Sequence, residues 1–288
     1  MTVSVLTSEE GVGPRKATWV VMGGGAVKGL AHVGAWRAIL EAGISVAGII
    51  GTSVGAMIGA AIAGGRSVEE MEACARSLRR RDIARLNPRA LWFNGIRAAS
   101  VLRGDVLLAY VNRFLPAKSW GDLHIPLLVN AVDLETGETL WFGHQDTLGV
   151  TLVDAVYASC SLPVLFPPVK VQGRLLVDGG VLEMLPLQKA ADAGATRIIA
   201  IDVGTGLESG VGAVAEQGLV AVHQRVFTIM ASEKRRVTLE SWSEVPLTAV
   251  FPDLQGVTGF DFGRIDYLLE EGYRATRAAL MGAAEQSK

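Results

Sequence analysis

Residues 17–63 hold two strand–glycine turn–helix units in succession, and that grammar narrows the fold more than any other feature of the chain. Ala17–Met22 is apolar and β-branched and reads as a buried strand. Gly23-Gly24-Gly25 breaks it, and Leu30–Glu41 then has a helical pattern ended by Ala42-Gly43. Val46–Ile50 is a second short buried strand. It runs into Gly51-Thr52-Ser53-Val54-Gly55, and Ala56–Ala63 continues as a helix of small residues. Strands joined through helices in this way form a mostly parallel sheet covered on both faces, so the expected class is α/β with three α/β/α layers.

The same region imitates a membrane span. From Ala42 to Gly65 there are 24 residues without a charge, and Gly51, Gly55 and Gly59 form a tandem G-x-x-x-G. Seven glycines, with Thr52 and Ser53 in the middle of the run, argue instead for a strand, a sharp turn and a buried helix.

Further along, Ser67-Val68-Glu69-Glu70 is a capping box that starts another helix. Leu127–Val132 reads as a strand, and Glu135-Thr136-Gly137-Glu138 turns it toward Leu140-Trp141-Phe142. A short helix over Asp154–Ser159 precedes Pro163, Pro167 and Pro168, which forbid regular structure. Lys170–Val171 and Leu175–Val177 flank Gln172-Gly173 as a hairpin. Gln188–Ala193 is a helix, Arg197–Val203 a strand and Gly204–Gly212 a loop, and two helices near 215–235 and 264–283 close the chain.

Composition excludes several classes. Half of the residues are hydrophobic and 19% are charged, which is incompatible with general disorder. The 288 residues fit one α/β domain over 17–288, large enough to fold without disulfide or metal staples. Residues 1–16 read as a loose polar tail without the apolar core of a secretory signal. A net charge of −2 is no footprint for nucleic acid. Cys74 and Cys160 cannot make a disulfide framework, and no Cys/His cluster has zinc spacing. A reducing, cytoplasmic setting is the simpler expectation, with no metal and no cofactor.

Three motifs carry chemistry. Gly51–Gly55 fits G-x-S-x-G between a strand and a helix, the context of a nucleophile elbow. In such a turn glycines flank the serine, and its Oγ stands at the N-terminus of the next helix, where negative charge is favoured. The competing reading is a tight turn with an incidental serine. Gly23-Gly24-Gly25-Ala26-Val27-Lys28-Gly29 also joins a strand to a helix. It is no P-loop, because Gly29 and Leu30 follow Lys28, and neither register from Gly23 or Gly24 completes G-x-G-x-x-G. A plain turn remains, or a row of backbone N–H groups aimed at an anion, with Lys28 adding positive charge. Asp178-Gly179-Gly180 sits at a strand end, either as an ordinary turn aspartate or as a catalytic partner. Histidine is scarce. Only His223 follows Asp178, in a helical pattern, and His32 precedes the serine within the first helix. A carboxylate within reach of Ser53 is therefore the better candidate base.

Together these residues resemble the patatin-like phospholipases of bacteria. Gly23–Gly29 with Leu30-Ala31-His32-Val33-Gly34 is similar to the family's oxyanion segment, Gly51–Gly55 to its G-x-S-x-G, and Asp178-Gly179-Gly180 to its Asp-Gly-Ala/Gly motif. Val132–Glu138, Ala158–Pro168 and Asp261-Phe262-Gly263 fit as well, so the resemblance spans about Ala17 to Ala279. It implies a lipid acyl hydrolase of phospholipase A or esterase type, with Ser53 as nucleophile, Asp178 as base and no histidine. The amides of Gly24, Gly25 and Ala26 would form the oxyanion hole, supported by Gly23, Lys28, Gly29, Gly51, Gly55, Gly179 and Gly180. One departure stands out: many members carry glycine where Ala26 stands, and a Cβ is penalised there if φ is positive.

Two other functions compete. A Ser-His-Asp hydrolase would recruit His223, and a non-catalytic nucleotide binder would use the glycine-rich loop. A last feature concerns the substrate surface. Arg76–Arg103 carries eight arginines against Asp82 and includes Leu91-Trp92-Phe93. Either this is a solvated helix face followed by an ordinary packed loop, or it is a flap that touches an anionic membrane surface peripherally.

Overall fold

A computed structural model describes residues 17–91, 98–143, 149–204, 216 and 218–285. The expected tail over 1–16, the Trp92-Phe93 pair and nearly all of the expected loop after Gly204 lie outside these residues.

The centre is an eight-stranded sheet. Its strands are β1 (Thr18–Met22), β2 (Val46–Gly51), β3 (Leu127–Asp133), β4 (Thr139–Gly143), β5 (Val169–Val171), β6 (Arg174–Asp178), β7 (Arg197–Ile201) and β8 (Leu247–Val250). The order is β5-β6-β3-β2-β1-β7-β8, with β4 also paired to β3. From β3 through β2, β1 and β7 to β8 every pairing is parallel, as expected. The hairpin strands β4 and β6 join β3 antiparallel, and β5 joins β6 antiparallel, so the whole sheet is mixed. In the β5–β6 hairpin both turn residues have positive φ, 49° at Gln172 and 81° at Gly173. That is the twist a two-residue loop needs to match right-handed strands.

Helices α1 (Ala31–Glu41), α2 (Val54–Ala63), α3 (Val68–Ser77), α5 (Gly104–Phe114), α6 (Leu152–Ser159) and α9 (Ile265–Glu285) supply the larger apolar layer on one sheet face, with the short α4 (Arg80–Ile83) between α3 and α5. The other face carries Trp19, Val21, Ile50, Ile198 and Ala200. It is covered by α7 (Leu187–Asp192), by Leu239 of α8 (Leu219–Glu240) and by Trp242 just after it. Neighbours such as Val20 and Val21 point to opposite faces, as strand geometry requires. The uncharged run 42–65 is therefore β2, a turn and α2, and no described helix is long and apolar enough to cross a membrane.

The capping box forms: the Glu70 amide donates to Ser67 Oγ and the Ser67 amide to Glu70 Oε2, both at 3.2 Å. Two elements escape the pattern reading. β8 is only four residues long and half-buried at alternate positions, so its periodicity is slight. α5 is better marked, because Leu107, Tyr110, Val111 and Phe114 fall at helical spacing and are buried.

Register brings the loops of interest together. Met22 of β1 pairs with Gly51 of β2 and with Ile201 of β7, so the segments after these strands leave the sheet at one edge. Asp178 arrives from the opposite direction, at the end of β6, paired with Ala131 of β3.

The tightest helix crossing is α1 on α9. A Cβ on Gly34 would stand 1.8 Å from the Leu269 carbonyl oxygen, and one on Gly272 would stand 1.9 Å from that of Ala31. Backbone touches backbone there, so a methyl group forces the helices apart. Gly34→Ala is expected to destabilise the fold by about 1–3 kcal/mol, as overpacking does. Urea denaturation checks this, and an unchanged midpoint would contradict the crossing.

Candidate active site

β2 ends at Gly51, and the chain reverses into α2 within two residues. Ser53, the residue at the N-terminal cap of α2, has φ 57° and ψ −127°. A non-glycine residue there is strained by about 1–3 kcal/mol and persists only where its surroundings enforce it. The enforcement is visible. The Thr52 amide donates to the Met22 carbonyl at 3.0 Å, the Gly55 amide to the Thr52 carbonyl at 2.9 Å, and the Ser53 amide to Ser159 Oγ at 2.9 Å. A Cβ on Gly55 would stand 2.1 Å from the Met22 carbonyl oxygen, and one on Gly51 would stand 2.4 Å from Ala56 Cα. Only glycine lets the helix start so close to the strands.

Asp178 faces this serine. It is 1% exposed and accepts a hydrogen bond from the Gly180 amide at 2.7 Å, and the Ser53 side chain lies near enough to favour its charged form. Burial pushes the carboxyl up to about 7, and these two neighbours offset only part of that. The Asp178 loop is bolted to the elbow through one carbonyl. The Glu183 oxygen accepts from Thr52 Oγ1 at 3.2 Å and from Asn130 Nδ2 at 3.0 Å. Gly179 rests on Asn130, where a Cβ would stand 2.2 Å from Oδ1.

The glycine-rich segment closes the third side. The amides of Gly23, Val27 and Lys28 donate to Ile201, Gly259 and Gly25. Among the described residues no backbone hydrogen bond takes up the amides of Gly24, Gly25 or Ala26. Gly24 lies beside the serine, since a Cβ on it would stand 3.1 Å from Ser53 Cβ. Gly29 abuts the elbow from below: a Cβ there would stand 2.1 Å from Val54 Cγ1. Ala26 has φ 51°, so the position where many resembling chains carry glycine is a left-handed one here.

Several supporting residues were not singled out from sequence. His32 is fully buried and its Nε2 donates to the Gly23 carbonyl at 2.8 Å. Burial lowers its pKa to about 4, so the ring is neutral and anchors the glycine-rich segment. Its chain position within α1, 21 residues before Ser53, carries no hint of this. Asp202, just past β7, is paired with Arg235 of α8 at 2.6 Å and accepts from the Gly204 amide at 2.9 Å. Burial raises its pKa to about 6 against the pull of Arg235, of that amide and of Lys28. Part of the Lys28 charge is thus directed at Asp202.

Ser53 and Asp178 open into a cavity of about 350 Å³. Its walls are largely apolar and include Met57, Met71, Leu78, Leu107, Phe114 and Phe166. Gln224, Phe227, Ala231 and Arg235 of α8 form part of its cover. Cys160 also lines it, with its thiol pushed up by burial, first of all, and by the nearby Asp178. His223 does not line this cavity, and its Nδ1 has no hydrogen-bond partner among the described residues. The alternative triad is not assembled. In the arginine-rich stretch, Arg76 pairs with Glu72 and Asp266, Arg103 pairs with Asp105, and Arg80 stacks over Phe260, so part of the excess charge is met within the chain.

A family model described as patatin-like phospholipase matches residues 20–191, which include the glycine-rich loop, the elbow and Asp178. The chain belongs to the patatin-like phospholipase family. An uncharacterised NTE family protein of Mycobacterium tuberculosis is 35% identical over 209 residues, covering 72% of this chain and 54% of its own. Another, from Mycobacterium bovis, is 30% identical over 280 residues, covering 91% of this chain and 46% of its own. Patatin-like phospholipase domain-containing protein 6 of Homo sapiens is 32% identical over 188 residues, 65% of this chain but 13% of that protein. The chain spans about half the length of the NTE family relatives it matches. VipD from Legionella pneumophila has the same fold, with a TM-score of 0.54 over 93% of this chain and 67% of its own at 16% identity.

Two expectations follow from the site's geometry. Folded Asp178 keeps its proton up to about pH 7, whereas an unfolded aspartate releases it near pH 4. The folded state binds more protons in that window, so this group makes stability fall as pH rises through it. Asp178→Asn should raise the melting temperature at pH 8, and the gain should shrink by pH 5. An equal shift at both values in thermal melts would contradict the raised pKa. Ala26→Gly removes a Cβ from a left-handed position and should stabilise the fold by up to about 1 kcal/mol, read by urea denaturation. A loss of stability would mean that the Ala26 methyl group contributes more through packing than its conformation costs.

Proposed function

We propose that this chain is a lipid acyl hydrolase of phospholipase A or esterase type that works through an acyl-enzyme. The reading rests on one observation above all: a strained serine and a buried carboxyl group line the same apolar cavity.

The mechanism follows from the chemistry of these groups. The ester's acyl chain lies in the apolar cavity, which holds its carbonyl carbon beside Ser53. Ser53 Oγ attacks that carbon while its proton passes to the Asp178 carboxylate. The tetrahedral oxyanion takes hydrogen bonds from the amides of Gly24, Gly25 and Ala26, which are not engaged with other backbone groups. The carbon–oxygen bond to the alcohol or lysolipid then breaks, and Asp178 returns the proton to that leaving oxygen. Water enters, gives a proton to Asp178 and its oxygen to the acyl carbon, and Ser53 leaves with the proton restored.

Burial of Asp178 serves this cycle. A carboxylate held in water near its ordinary value is a weak base toward a hydroxyl, and desolvation brings it close to neutrality, where proton transfer is better matched. Neutral His32 holds the Gly23 carbonyl, so it positions the loop and moves no proton. A nucleotide-binding role for the glycine-rich loop has no such support, since the loop borders an apolar cavity and Lys28 is drawn toward Asp202.

Ser53→Ala and Asp178→Asn should each abolish turnover of p-nitrophenyl esters of rising chain length, and the double variant should cost little more than either, because the two act as a unit. A fluorophosphonate probe should label Ser53. For the wild type, kcat/KM should fall below about pH 7 as Asp178 takes up a proton. Labelling at another serine, or a rate that is flat between pH 5 and 8, would refute the assignment.

A further inference from the structure

α8 is apolar on two faces. Toward the protein, Phe227 and Ala231 cover the cavity of Ser53. Toward solvent, Leu219, Val222, Val226, Met230 and Val237 follow one another three, four, four and seven residues apart, so they form one stripe along the helix. Leu219 is 84% and Met230 65% exposed, and Ile229 widens the stripe. Of the twelve exposed large apolar side chains among the described residues, six lie on this helix. None of its 22 residues is buried, whereas α9, of nearly equal length, buries seven. A soluble surface does not require such a stripe, and a contiguous apolar patch marks a contact.

We propose that the outer face of α8 is the docking surface for a lipid bilayer, which brings the cavity of Ser53 against its substrate. The proposal rests on the lipid hydrolase reading for its purpose but on separate residues for its evidence. Charge favours lipid as the occupant. By helical position Arg225 and Arg236 fall along one flank of the stripe and Lys234 along the other, while Glu233 and Glu240 fall within its arc and are tied to Arg236. Basic flanks on an apolar stripe suit a helix lying in an interface, with apolar side chains at the acyl boundary and cations at head-group level. Continuity adds to this. The stripe and the cavity cover are two sides of one helix, so a bilayer on the stripe lies one helix diameter from the cavity.

Val222→Gln/Val226→Gln/Met230→Gln tests the surface without weakening the helix, since glutamine is a helix former and none of the three lines the cavity of Ser53. The full chain is floated with vesicles of phosphatidylcholine and of phosphatidylcholine with phosphatidylglycerol, at low and high salt. Wild type should float, more with the anionic vesicles at low salt, and the triple variant should lose at least tenfold in bound fraction. Its turnover of p-nitrophenyl butyrate should stay within twofold of wild type, and its hydrolysis of vesicle phospholipid should fall with binding. Flotation equal to wild type would overturn the proposal. So would light scattering that finds a wild-type dimer and a monomeric variant, because a second copy would then cover the stripe. Loss of flotation in Trp92→Ser/Phe93→Ser with the α8 variant unaffected would move the contact to residues 76–103 and overturn it too. Wild-type protein that floats but hydrolyses no ester would refute the hydrolase reading and leave the docking surface standing.

Discussion

A carboxyl group buried beside a strained serine, with no cation among the groups that set its pKa, is the constraint from which the rest of the site follows. Isolated, such an aspartate is costly to ionise, and its polar neighbours decide how costly. Here they are the Gly180 amide and the Ser53 hydroxyl. The amide fixes the direction of the carboxylate. The hydroxyl is the group that a raised base is suited to deprotonate. An arginine or lysine in contact would have stabilised the charged form and left a poorer base; Asp133 in the same sheet is held low, first by the Glu135 amide and then by Arg174.

Holding that pair together requires backbone segments to approach more closely than side chains permit. Glycine supplies the approach at Gly55 against Met22, at Gly51 against Ala56, at Gly29 against Val54 and at Gly179 against Asn130. Each is a place where one methyl group would displace an element that touches the site. The strain at Ser53 persists because these contacts leave no room to relax it. Ala26 is the exception, a Cβ in left-handed backbone within the segment whose amides border the serine. Buried polar groups complete the frame. His32 holds Gly23, Ser159 holds the Ser53 amide, and the Glu183 carbonyl ties the Asp178 loop to Thr52 and Asn130.

The apolar volume beyond the serine is built from different parts of the chain than the polar chemistry. α3, its C-terminal cap Leu78 and α5 give it Met71, Leu78, Leu107 and Phe114, and α8 covers it. α8 is linked to the polar frame through Arg235, whose pairing with Asp202 places the cover next to the glycine-rich segment. A site of this kind separates its tasks. The segments at the sheet edge hold Ser53 and Asp178, and helices set further out shape the apolar space beside them.

Local patterns in the sequence were enough for the α/β class, the elbow at Ser53, the glycine-rich turn and the hairpin that ends in Asp178. Each depends on spacing within a few residues: short apolar, β-branched runs, a glycine on either side of a serine, a Gln-Gly turn. Short β8 carried too little periodicity to be read, and α5 carried a legible helical spacing that was passed over. Family resemblance, rather than spacing, joined Ser53 to Asp178 across 125 residues. Only the tertiary structure decided that the two residues line one cavity, that His223 does not line it, that His32 bonds to Gly23 and that Asn130 lies against Gly179. It also decided the positive φ at Ala26 and the two apolar faces of α8. The physical reason is the same in each case. Burial, pKa and exposure belong to what surrounds a residue, and the surroundings come from strands and helices far away in the chain, brought together by sheet register.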